Sequence, residues 1–134
     1  MKNKWLSIVC ASFITIVYTH VSLAENVCSQ NTLNGRYLYS SSGKDASGFD
    51  YSNAGLAHYD GNGNITDLSS NNGNTAVIKI IGTYELKSEC TGTIHISTYD
   101  SHYNIFASPD GSRVTFVQTD AGTNISGQEN RVAP

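Results

Sequence analysis

From Leu33 onward the chain is a succession of short runs in which apolar and polar residues alternate, separated by clusters of Gly, Asn, Asp and Ser. No stretch repeats at helical period. Alternation at period two puts successive side chains on opposite faces of a strand, so Ile94 and Ile96 share one face while Thr93, His95 and Ser97 share the other. Val114 and Phe116 likewise face away from Arg113, Thr115 and Val117. The runs predict strands at residues 36–41, 55–60, 64–69, 76–81, 83–87, 91–99, 103–108, 113–119 and 123–131.

The separators have a mechanism as well as a composition. Asp60-Gly61-Asn62-Gly63, Pro109-Asp110-Gly111 and Asp120-Ala121-Gly122 each supply residues that accept positive φ at low cost, and each predicts a hairpin. A run of hairpins with no helix to cover an open face must deal with its edges, and closure removes them. The expected fold is therefore all-β, an antiparallel up-and-down β-barrel of about eight strands, with a two-sheet β-sandwich as the alternative. The polar stretch Ser42 to Asn53 does not read as strand and is expected to form a flap over one barrel mouth.

The first residues follow different rules. Lys2 and Lys4 precede an apolar run from Trp5 to Val17, and Ser22-Leu23-Ala24 offers the small residues of a cleavage site. Residues 1–24 are thus expected to be a signal peptide and 25–134 a single barrel domain. The apolar run is shorter than the roughly 20 residues of a membrane span, and Cys10 lies inside it without a preceding small residue, which argues against lipidation. The C-terminal Arg131-Val132-Ala133-Pro134 resembles neither a lipid-anchor signal nor the closing strand of an outer-membrane barrel. The expectation is a secreted or periplasmic protein without stable membrane insertion.

Loss of Lys2 and Lys4 leaves six Lys plus Arg against eleven Asp plus Glu, a net charge of −5. No basic stripe is present to hold nucleic acid. Cysteine use agrees with export, because only Cys28 and Cys90 remain beyond Cys10, and one pairing exists for them. A disulfide closing a loop of about 60 residues constrains the unfolded chain by roughly 4 kcal/mol.

Gly35-Arg36-Tyr37, the ladder of hairpins and Arg131 on the last strand together resemble the lipocalin or calycin type of barrel. There a Gly-x-Trp on the first strand packs its ring against a late arginine at the barrel base; here Tyr37 takes the tryptophan's place. Asn34-Gly35-x-Tyr37, Asp60-Gly61-x-Gly63, Gly82-Thr83-Tyr84, Cys90-Thr91-Gly92-Thr93 and Gln118-Thr119-Asp120-x-Gly122 are also similar to a group of small secreted bacterial proteins that carries no assigned activity. Both resemblances imply a barrel.

Few residues point to chemistry. Asp60-x-Asn62-x-Asn64-x-x-Asp67 spaces oxygen ligands as a calcium loop does, but Ile65 and Asn71 occupy the positions of the sharp-turn Gly and the bidentate Glu, and a hairpin turn explains the motif without a metal. His58, His95 and His102 lack the helical spacing of a zinc site, although His58 and His95 on separate strands could converge inside a barrel. No Gly-x-Ser-x-Gly elbow is present, and no two carboxylates stand out as a glycosidase pair. No catalytic residue, metal ligand or cofactor is therefore assigned.

Tyrosine is the most suggestive residue type, with seven beyond the leader, and Tyr37 and Tyr39 share a face of the first strand. Its ring offers apolar area and its hydroxyl can orient a ligand; core packing uses the same properties. Three functional classes follow. The first is a barrel that binds a small, largely apolar ligand in its lumen, lined by Tyr37, Tyr39, Leu56, His58, Tyr84 and Phe116. The second is a filled barrel that meets a protein partner through the polar loops at residues 42–53 and 69–74. The third is an enzyme of the barrel cyclase or isomerase kind, assisted by His58, His95 or Tyr84.

Overall fold

The computed structural model describes residues 27–74 and 76–134; the expected signal peptide lies outside the described residues. A single turn of 3-10 helix at Gln30–Thr32 leads into eight strands: β1 (Asn34–Lys44), β2 (Asp50–Asp60), β3 (Asn64–Asn71), β4 (Ile78–Leu86), β5 (Thr91–Ile96), β6 (Ser101–Ala107), β7 (Arg113–Gln118) and β8 (Asn124–Ala133). Each pairs antiparallel with the next, and β8 returns to β1, closing an up-and-down barrel. Closure decides against the sandwich.

All three glycine turns form hairpins, with Gly61, Gly111 and Gly122 at positive φ. Two expectations need correction. Residues 42–53 are not a flap: β1 continues to Lys44 and β2 begins at Asp50, paired through Gly43↔Tyr51 and Ser42↔Ser52. Asp45 accepts hydrogen bonds from the backbone N–H of Ser47 and Phe49, so the turn occupies only the five residues between the strands. Polar residues extended this hairpin because both faces at its tip meet water. The two runs placed either side of Gly82 are one strand, β4; a Cβ on Gly82 would lie 2.3 Å from the His95 carbonyl oxygen, so the glycine permits close backbone approach and does not mark a turn.

The two ends differ. At one end the tyrosines form a dry plug: Tyr37 and Tyr59, then Tyr59 and Tyr84, meet edge to face with ring centroids 5.0 Å apart in each pair. Leu33, Ile105 and Val114 pack there with no exposure. Tyr37 Oη donates to the Gly111 carbonyl at 2.6 Å, and Tyr84 Oη lies 2.7 Å from the Leu33 carbonyl oxygen and 3.0 Å from that of Gln30. Arg131 Nε donates to Tyr37 Oη at 3.0 Å and its Nη2 to the Thr32 carbonyl at 2.7 Å, with the guanidinium over the Tyr37 ring. The first strand, the last strand and the N-terminal turn thus meet at one residue.

A disulfide between Cys28 and Cys90 ties the N-terminal segment to the β4–β5 turn beneath this plug. Gln30 reinforces it, accepting from Leu86 N and donating to the Tyr84 carbonyl. The opposite end, formed by the β1–β2, β3–β4, β5–β6 and β7–β8 turns, carries no such cap among the described residues.

Outside, Arg36, Lys79, Glu85 and Arg113 are interleaved with the exposed Leu38, Leu68, Ile81, Phe106 and Val117. No helix among the described residues is long and apolar enough to cross a membrane.

With 62 residues separating its cysteines, the disulfide should constrain the unfolded chain strongly. Urea unfolding of the oxidised protein and of Cys28→Ala/Cys90→Ala should differ by about 2–4 kcal/mol in favour of the oxidised form; equal stabilities would show that the tether adds nothing to the plug.

Candidate functional site

Above the tyrosine plug the barrel interior changes character. Every inward position is set by strand parity, and parity delivers polar residues here: Tyr39 and Ser41 from β1, Tyr51 and Asn53 from β2, Asp67 from β3 and Glu129 from β8. Ile80, Ile94, Ile96 and Phe116 supply the apolar wall, with Tyr103 beside Phe116. Gly55 and Gly127 on inward positions make room for these rings, since a Cβ on either would strike Tyr39 or Phe116 respectively.

Between these side chains lies a cavity of about 60 Å³ that runs from mid-barrel toward the uncapped rim. At about 10–15 Å³ for each water-sized occupant it holds roughly four to six non-hydrogen atoms. Pockets for drug-sized ligands are several times larger.

The cavity is lined by acceptors that lack donors. Tyr39 Oη donates to Asp67 Oδ2 at 2.6 Å, but Asp67 Oδ1, Glu129 Oε2 and Asn53 Oδ1 are buried without a hydrogen-bond partner. The Tyr59 hydroxyl lies near enough to Glu129 to affect its titration without reaching ordinary hydrogen-bond geometry. Burying acceptors unpaired costs free energy, more when they are charged.

Protonation answers part of that cost. Burial pushes the Glu129 carboxyl up to about 8; the nearby Asp67 charge adds to the rise and Tyr59 opposes it. Burial also pushes Asp67 up to about 6, against the hydrogen bond from Tyr39. The Tyr39 hydroxyl is itself pushed well up by burial and by the adjacent Asp67 charge. At neutral pH the cavity therefore holds a largely ionised Asp67 and a largely protonated Glu129.

Of the six lining residues expected from the sequence, Tyr39 and Phe116 line this cavity. Tyr37 and Tyr84 face inward but are spent on the plug, their hydroxyls engaged by backbone carbonyls. Leu56 and His58 do not belong to the lumen. Ala57 and Tyr59 take the inward parity of β2, leaving Leu56 on the outer face between Leu38 and Leu68, and His58 exposed beside it. For the same reason His58 and His95 do not converge inside the barrel, and with Tyr84 in the plug the grouping expected of a barrel enzyme does not assemble.

The calcium-like motif also comes apart. Asp60 Oδ1 accepts from the backbone N–H of Asn62 and Asn64, and its Oδ2 from Asn64 Nδ2, as a hairpin turn requires, while Asp67 points into the barrel. Sequence reasoning missed Asp67 and Glu129 as partners, although each shares parity with an inward isoleucine, Ile65 and Ile125. No protein-family model matches the chain, and no curated protein matches its sequence significantly.

The raised Glu129 carboxyl makes a signed prediction. The folded protein keeps this proton where the unfolded chain, with an ordinary value of 4.5, has released it. Stability from this group is therefore fullest below about pH 4.5 and falls as pH rises toward 8. Relative to Glu129→Gln, the unmodified protein should lose about 2–4 kcal/mol between pH 5 and pH 8 in parallel urea melts; parallel pH profiles would mean Glu129 titrates as an exposed carboxyl.

Proposed function

We propose that this is an exported binding protein whose lumen takes a small organic cation, such as a primary ammonium group, carried by a small molecule or by the head of a longer one entering at the uncapped rim. The observation that supports the reading is the set of buried acceptors without donors, Asp67 Oδ1 and Glu129 Oε2 above all. An ammonium group brings three donors and a positive charge to that place. Tyr39, Tyr103 and Phe116 supply aromatic faces and edges around it, which suit a cation better than they suit an anion.

The residues expected from the sequence to line the lumen favour a ligand of largely apolar character; the two acidic side chains shift the preference toward a ligand with an apolar body and a donating head. Size sets the affinity scale. An amine of three non-hydrogen atoms gains at most about 4.5 kcal/mol, a dissociation constant near 0.5 mM, and each further buried atom can tighten it. Export is supported by the leader-like first 24 residues and by the disulfide.

Calorimetric titration at pH 7.5 with ethylammonium, propylammonium, propanol and an apolar fluorescent probe tests the reading. The ammonium ions should bind, propanol and the probe should not, and Asp67→Asn and Glu129→Gln should each weaken binding at least tenfold. Binding should also release a proton from Glu129, seen as a dependence of the heat on the buffer's ionisation enthalpy. Uptake of the probe or propanol in preference to the ammonium ions would overturn the cation reading in favour of an apolar lumen ligand.

A further inference from the structure

His95 on β5 and His102 on β6 are directly opposed across the antiparallel ladder, on the outward face and one residue from the uncapped end of each strand. Their rings stack with centroids 4.6 Å apart and planes 9° from parallel. The short β5–β6 turn brings Asp100 back onto the pair, with its Oδ1 3.0 Å from His95 Nε2. One nitrogen of each imidazole and one carboxylate oxygen of Asp100 all lie within 4.8 Å of one another.

A fourth residue orients the group from a different hairpin. Asp120 Oδ1 lies 2.9 Å from His102 Nδ1, while its Oδ2 accepts from the His102 backbone N–H and from Gln118 Nε2. An aspartate carboxylate is an acceptor only, so each of these contacts is a hydrogen bond that Asp120 receives. His102 must then donate through Nδ1. That fixes the tautomer and leaves Nε2 as the basic nitrogen, the arrangement in which a carboxylate behind a histidine aims it at a metal.

We propose that His95, His102 and Asp100 form a surface site for a late first-row divalent cation, with Asp120 as the positioning residue that holds His102. Two imidazoles and one carboxylate suit zinc and its neighbours, whereas calcium and magnesium prefer all-oxygen sets. Zinc bonds of about 2.0–2.2 Å place tetrahedral ligands about 3.4 Å apart, so small side-chain rotations close the present spacing onto an ion. The fourth position is left to water or to a donor from another molecule. This site is on the outer face and does not depend on what occupies the lumen.

Zinc is the probe for the test, titrated into the purified, oxidised protein without a histidine tag at pH 7.5, against a chromogenic zinc chelator. One equivalent should bind. His95→Asn, His102→Asn and Asp100→Asn should each weaken it at least tenfold, and Asp120→Asn by about 10–100-fold. His58→Asn, which alters the exposed histidine of β2, should leave it unchanged. These positions are exposed or half-buried, and matching metal-free melting curves will show that each variant folds. Failure to bind zinc, binding that survives His102→Asn, or binding lost in His58→Asn would each overturn the proposal.

Discussion

The junction of the first and last strands carries the architecture. A meander of eight strands has two edges until β1 and β8 pair, and the pairing is held where Tyr37 meets Arg131. The Tyr37 hydroxyl serves two strands and a turn at once, donating to Gly111 and accepting from Arg131, and Arg131 reaches on to the Thr32 carbonyl. Each of these polar groups is buried or half-buried, so losing one partner would leave the others unsatisfied. The register between β1 and β8 shifts at Arg36/Tyr37, where this contact is made.

Closing one end so completely determines what the other can be. The tyrosine plug, the N-terminal turn and the disulfide fill the base with rings and aliphatic side chains; the Tyr37 and Tyr84 hydroxyls donate to backbone carbonyls, while the Tyr59 hydroxyl lies near Glu129. Carboxylates are therefore confined to the upper half, where Asp67 and Glu129 share a small cavity with aromatic side chains. Their shifted titration follows from that division. Burial raises both carboxyls, Glu129 to about 8 and Asp67 to about 6, the latter against the hydrogen bond from Tyr39.

Much of the architecture was legible in the sequence because it rests on local rules. Strand parity paired Ile94 with Ile96 and Val114 with Phe116 on shared faces, which the barrel turns inward, and glycine at positive φ located three hairpins. The paired cysteines needed only counting. Parity within β2 was harder to read, because Leu56 and Ala57 are both apolar and only the neighbouring tyrosine settles which faces inward. The extent of the β1–β2 hairpin was hidden because polar residues fit a strand whose tip is wet on both faces. Asp67 and Glu129 are 62 positions apart in sequence and meet only through barrel closure, which no local pattern encodes.

The measurement that tests the account most directly is a carbon-13 NMR titration that follows the side-chain carboxyl of Glu129 in the free protein and in saturating propylammonium. The account predicts a midpoint near 8 in the free protein, displaced by burial from its ordinary 4.5, and a fall of at least one pH unit when the ammonium ion is bound. A midpoint near 4.5 in the free protein, or one that does not move with the amine present, would contradict it.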